Sequence, residues 1–287
     1  MARRYCALTA DFHNDVLTAL NKQSLLKEYA AGKNEIVCAY FKGKRTFADA
    51  YSACKEFNSF RRSQEKPCGL YLAFEDFSYS KNISALQALL SFSPVYVTLT
   101  WNHANILGGG AYSTEGLTEY GGAVIKLMNE RNVSLDLAHA NEKTFFGSID
   151  LSKSPVCSHA CFYDVCPHPR NLKREQIRAL IERQGLIGLC FYPPFLSESA
   201  KCGEPIQSVG IYDVVKHIDY FCERFSPENL CIGSDINGCE RYLQGFEDYG
   251  FERELKIALE KNGYDKKTVD GFFYDNLKKF LSNKRLY

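Results

Sequence analysis

Short runs of about five to eight residues rich in Val, Ile, Leu, Tyr and Phe alternate along this chain with longer segments whose apolar residues recur at helical spacing. The short runs fall at Ala7–His13, Glu35–Phe41, Gly69–Glu75, Val95–Trp101, Ser134–His139, Pro155–His159, Leu186–Tyr192 and Leu230–Asp235. Helical spacing covers Phe47–Arg61, Ser84–Phe92, Leu117–Arg131, Arg174–Gln184 and Tyr212–Phe225, with Phe251–Lys261 and Val269–Leu281 in the tail. Thr118 reads as an N-terminal cap, and Asn171 opens the run that ends before Gly185. Parallel strands need a crossover long enough to hold a helix, so this alternation predicts a parallel sheet.

Eight such units match a (β/α)8 TIM barrel, read as one catalytic domain over residues 1–287 with the tail helices completing the outer ring. A doubly wound open sheet is the alternative. Its nucleotide-binding version requires a phosphate loop, and the chain has neither GxGxxG after the first strand nor GxxxxGK[ST] anywhere.

Hydrophobic residues make up 45% of the chain and charged ones 24%, which gives enough apolar material for a large core. The net charge of +1 is spread along the sequence, so there is no footprint for nucleic acid or an anionic membrane, and a small uncharged or zwitterionic substrate fits better. No apolar run approaches the roughly 18 residues of a membrane span, and strand-like sequence begins soon after Met1-Ala2-Arg3-Arg4, leaving no room for a signal peptide. The twelve cysteines are scattered, several of them inside apolar strands. They read as small buried hydrophobes of a cytoplasmic protein, and the spacing of Cys157, Cys161 and Cys166 is wrong for a structural zinc site. A thiol nucleophile stays open as an alternative.

The chemistry is in the polar residues that close the strands, because the C-terminal ends of barrel strands converge on one face. Such residues are His13 and Asp15 after the first strand, Glu75 on the third, His139 on the fifth, His159 on the sixth and Asp235 on the eighth. Each alone has an ordinary explanation: a hydrogen-bonded histidine near a core, a solvated carboxylate, or, for Asp235 between glycines, the start of a turn. His13 and Asp15, two apart, share one face of a strand. Together these groups predict a metal site. Three imidazoles and three carboxylates exceed the needs of one tetrahedral zinc with an open position, which suggests two divalent ions sharing a carboxylate and a hydroxide. Imidazole-rich ligation favours zinc, and manganese, cobalt or iron would also suit it.

The segments Asp11-Phe12-His13-Asn14-Asp15, Tyr96-Val97-Thr98-Leu99-Thr100, Gly116-Leu117-Thr118-Glu119-Tyr120-Gly121, Leu135-Asp136-Leu137-Ala138-His139, Pro155-Val156-Cys157-Ser158-His159 and Gly233-Ser234-Asp235 resemble, in order, the pattern of the renal (membrane) dipeptidase family of zinc metallopeptidases. The resemblance implies hydrolysis of dipeptides, including some with a C-terminal D-residue, through a metal-bridging hydroxide. It implies that His13 and Asp15 hold one zinc, that His139 and His159 hold the other, and that Glu75 bridges them. By the same resemblance Asp235 passes the water's proton to the leaving amine, and Arg170 pairs with the substrate carboxylate. Two positions depart from the family. Trp101 stands where a histidine is expected to polarise the scissile carbonyl, leaving two options: His103, two residues on, takes that role, or the indole only walls the substrate pocket. Asn237 stands where a second aspartate is common. No anchor signal marks the C-terminus, so the chain resembles a compact soluble bacterial-type member. A related amidohydrolase acting on another amide, a lactone or an ester is the competing reading, as is a metal-binding barrel without turnover. Whether the barrel dimerises stays open. His168 is expected near the pocket mouth and His217 as a structural or solvent-facing residue; neither is expected to bind metal.

Overall fold

The computed structural model describes residues 9–32, 34–65, 69–201 and 209–284. Eight parallel strands close on themselves in sequence order: β1 Ala10–Asn14, β2 Glu35–Phe41, β3 Leu70–Glu75, β4 Tyr96–Thr98, β5 Ser134–Asp136, β6 Pro155–Ala160, β7 Ile187–Leu189 and β8 Leu230–Ile232. Closure comes from β1 beside β8, where Asp11 pairs with Ile232. The outer ring is α1 Lys22–Ala31, α2 Phe47–Arg62, α3 Ile83–Leu90, α4 Glu119–Glu130, α5 Glu142–Ile149, α6 Arg174–Glu182, the short α7 Pro193–Leu196 and α8 Glu198–Lys201, then α9 Ile211–Cys222. The tail adds α10 Glu252–Lys261, α11 Lys266–Asp270 and α12 Asn276–Ser282. The expected (β/α)8 barrel is therefore the architecture.

The eight apolar runs are the eight strands, with differences at their ends. Ala7 and Leu8, which open the first run, lie outside the described residues. Strands β4, β5, β7 and β8 stop short of the predicted ends, so Trp101, His139 and Asp235 stand on the loops just beyond them. For β5 and β8 local hydrogen bonding accounts for the early end. Asp136 Oδ1 takes the N–H groups of Ala138 and Ser158, and Asp11 Oδ1 takes those of His13 and Ser234, diverting backbone that would otherwise continue the ladder. Helix α6 starts at Arg174, not at Asn171; the buried Asn171 amide instead donates to the Cys166 and Phe195 carbonyls. The tail helix predicted as one piece is interrupted by a π-helical turn over Gly271–Asp275.

The main core lies between the strands and the helical ring. A second apolar cluster joins Phe12, Val37, Ala73, Tyr96, Val156 and Cys231 to Leu277 and Leu281 of α12. Caps fix the rim. Thr118 Oγ1 accepts from Gly121 N–H to start α4, and Asn141 Oδ1 accepts from Thr144 N–H to start α5. Among the described residues no helix is long and apolar enough to cross a membrane.

Candidate active site

At the C-terminal ends of the strands, six of the predicted side chains meet. His139 Nε2 lies 2.7 Å from Glu75 Oε1 and 2.8 Å from His159 Nε2. His13 Nε2 lies 3.6 Å from Asp15 Oδ2, 3.7 Å from Glu75 Oε2 and 3.7 Å from Asp235 Oδ1. His13, Asp15 and Glu75 form one compact group, Glu75, His139 and His159 a second, and His13, His159 and Asp235 a third, each with its donor atoms within 4.8 Å of one another. Glu75 belongs to the first two and turns one oxygen toward each. His139 and Asp235 reach the centre from left-handed backbone, at φ 67° and 63°, which turns their side chains inward just past the strands. Gly238 leaves room for two of these carboxylates: a Cβ there would stand 2.2 Å from Asp15 Oδ2 and 2.3 Å from Asp235 Oδ1.

The three imidazoles are oriented by oxygens to which the sequence reading gave no role, two of them inside its motifs. Tyr96 donates its hydroxyl hydrogen to the Phe12 carbonyl, so the 2.7 Å contact with His13 Nδ1 is one in which the imidazole donates. Ser158 donates to Asp136 Oδ2 and so accepts from His159 Nδ1 at 2.8 Å. Asn102 Oδ1 accepts from His139 Nδ1 at 2.8 Å. With Nδ1 donating in all three rings, every Nε2 is turned to the common space, those of the neutral His139 and His159 as lone pairs. Two such lone pairs 2.8 Å apart, together with the unpartnered buried His13 Nε2 and Asp15 Oδ1, describe donors aimed at a cation.

The electrostatics separate His13 from the other two rings: its Nε2 holds a proton that a bound ion would displace, whereas His139 and His159 are neutral already. Burial pushes the Glu75 carboxyl well above its usual range, and the charge of Asp15 adds to it. Burial likewise raises Asp235 to about 6, against the pull of His13. Burial disfavours charge on His13, but the hydrogen bond and charge of Asp15, with Glu75 and Asp235, outweigh it and lift this imidazole to about 10. His139 and His159, driven well down by burial, are held neutral, as ligands must be. The side-chain chemistry fits divalent cations.

Comparison with known sequences places this arrangement. The model of the family described as membrane dipeptidase (peptidase family M19) matches residues 69–285, most of the chain. The chain belongs to this family. A member of known fold, the metallopeptidase dipeptidase AC of family M19, superposes with a TM-score of 0.84 at 21% identity, covering 97% of this chain and 99% of the other. A metallopeptidase from Rhodobacter sphaeroides, liganded with a phosphinate mimic of the dipeptide L-Ala-D-Ala, gives 0.83 at 20% identity, covering 96% and 99%. In sequence the chain is 30% identical over 192 residues to an uncharacterized protein in the pqqA 5' region of Klebsiella pneumoniae, covering 64% of this chain and 69% of that one. The fold and the peptidase family expected from the motifs are thus established.

Around the cluster, the remaining predicted residues of this M19 chain separate. Arg170 is buried beneath the rim, its Nη2 donating to the His159 carbonyl at 3.3 Å, its guanidinium 5.3 Å from the Phe195 ring and its Nε without a partner. Trp101 stands at the mouth with its ring 6.1 Å from that of His139. His103 is exposed on the following loop, its ring 6.2 Å from Tyr112, and is not among the groups drawn together around Glu75. Asn237 amide hydrogens reach Asn14 Oδ1 and the Tyr29 hydroxyl, a supporting position outside the cluster. His168, buried near the mouth, accepts from the Arg170 N–H. A cavity of about 680 Å³ opens beside it, between Ala111–Thr114, Ala140–Lys143 and Tyr163–Gln176. His217 is wholly buried, accepts from Phe162 N–H and meets the Leu196 carbonyl, which makes it structural.

Proposed function

We propose that this chain hydrolyses dipeptides with two divalent ions, most readily zinc, held over Glu75. The observation that carries the reading is the sharing of Glu75 between two compact donor groups, one with His13 and Asp15 and the other with His139 and His159. These five residues are the proposed metal ligands. When bound, such ions lower the pKa of a water toward ~7 and polarise a carbonyl.

The protein's own groups do the rest. Asp235, 3.7 Å from His13 Nε2 and outside the ligand set, is placed to accept a proton and return it to the departing amine, and burial pushes its carboxyl toward greater basicity. Arg170, fixed by the His159 carbonyl and the Phe195 ring, offers its unpartnered Nε face to the substrate's C-terminal carboxylate. Trp101 lines the substrate's entrance, and His103, exposed on the loop beyond it, would act only if that loop carried it to the substrate. The rings of His13, His139 and His159 keep their orientation through Tyr96, Asn102 and Ser158, a support that typically changes metal affinity by about 10–100-fold when removed.

The test is elemental analysis of purified protein together with assays of L-Ala-L-Ala, L-Ala-D-Ala and a lactone panel. The expected result is close to two ions per chain with hydrolysis of at least one dipeptide. Lactone turnover without dipeptide turnover would move the chain to the other amidohydrolase chemistry. Two ions with no turnover would leave a binding role, and failure to retain metal after reconstitution would undo the ligand assignment.

A further inference from the structure

One side of the mouth is an aromatic wall that the proposed chemistry leaves without a partner. Trp101, the only tryptophan in the chain, is 39% exposed. Its ring lies 5.2 Å from Phe41 and 6.1 Å from His139. Phe41 pairs in register with Glu75 on the neighbouring strand, so these rings flank the clustered groups directly. Left free, an indole would be expected to fold onto the surface and bury its apolar area. Here the backbone beneath it is clamped. A Cβ on Gly110 would stand 1.9 Å from the Trp101 carbonyl oxygen, so only glycine allows this approach. Tyr112 N–H donates to the Asn102 carbonyl at 2.8 Å, and the Asn102 side chain holds His139.

The wall belongs to the β2–β4 side of the barrel, whereas Arg170 and Phe195 follow β6 and β7, across the ring. A dipeptide whose carboxylate is held at Arg170 therefore directs its other end toward Trp101 and Phe41. We propose that these two rings receive the side chain of the N-terminal residue, making the enzyme selective for dipeptides that begin with an aromatic or large apolar residue. This rests on the dipeptidase reading above, and it gives the two rings a function of their own: a surface for dispersion and ring contact beside the clustered groups.

The metal-loaded protein would be assayed with L-Phe-L-Ala, L-Ala-L-Phe and L-Ala-L-Ala. The expected kcat/KM for Phe-Ala exceeds both others by about tenfold, the scale of discrimination a partly enclosed apolar pocket supplies. That ratio should fall toward one in Trp101→Ala and be largely kept in Trp101→Phe. Because the chain has a single tryptophan, its fluorescence reports on the wall without turnover. A phosphinate isostere of Phe-Ala should shift or quench the emission, and that of Ala-Phe should not. Equal kcat/KM for the three peptides, a preference for Ala-Phe, or emission indifferent to the Phe-Ala isostere would overturn the wall while Ala-Ala hydrolysis kept the dipeptidase reading. Loss of activity toward all three would overturn both.

Discussion

Asp235 and His139 approach the same centre from similar backbone, yet different roles are proposed for them, and substitution separates the two. Asp235→Asn keeps the shape but cannot carry a proton; kcat should fall by about 10²–10⁴-fold with metal content near that of the native protein. His139→Ala should instead lose about one ion per chain. Equal metal loss in both variants would assign Asp235 to the ligands. For Arg170→Ala, KM for free dipeptides should rise by roughly 10–100-fold, the worth of a hydrogen bond to a charged group, while a C-terminal amide substrate is barely affected. Equal losses on both substrates would remove the carboxylate from Arg170. At this scale much of the cluster was legible: His13, Asp15, Glu75, His139, His159 and Asp235 each follow an apolar run and stand out against it. Tyr96, Ser158, Asp136 and Asn102 were not, because their value lies in pairing across the barrel. Tyr96 orients a ring 83 positions away, and nothing in local spacing encodes such a partner.

Strands were easier to read than helices. Buried on both faces, the strands of a parallel barrel form dense apolar runs, whereas α1 and α5 bury few residues each: Leu26 and Tyr29 in α1, and Thr144, Phe145, Ser148 and Ile149 in α5. Neither carries a long periodic stripe, so a helix is expected after β1 and after β5 without its bounds being legible. Helix α5 nonetheless matters to the mouth through its N-terminal cap. Asn141 caps α5 and also donates to the Ser113 and Glu115 carbonyls, tying the helix to the long loop that carries Trp101 and Asn102. Asn141→Ala should cost about 1–2 kcal/mol in urea unfolding. It should also raise KM, since the loop loses two anchors. A stability loss with unchanged kinetics would show that the loop is held elsewhere.

The assembled barrel couples its charges to its stability. Burial lowers the His217 imidazole from 6.5 to about 4, so the folded protein favours the neutral ring. Its contribution is fully present above pH 6.5 and is lost as the pH falls from 6.5 through 4, a change of about 3 kcal/mol. Urea midpoints between pH 7.5 and 4 should therefore fall less steeply for His217→Gln than for the native chain; parallel slopes would assign the acid sensitivity to other groups. Chelation is expected to lower Tm by several degrees, because Asp15, Glu75 and Asp235 then share one buried space without cations. An unchanged Tm would mean that the folded protein holds no ion before chelation. Closure of the ring has a further consequence, in time. The five proposed ligands come from β1, β3 and β6 and from the segments following β1 and β5, and β1 is fixed by meeting β8 through Asp11 and Ile232, about 220 residues apart in order of synthesis. A chain still emerging from the ribosome has no such seat. The His13 side of that seat is closed only when the eighth strand arrives, so the rate at which a refolding sample takes up metal reports on ring closure, a late event of its folding.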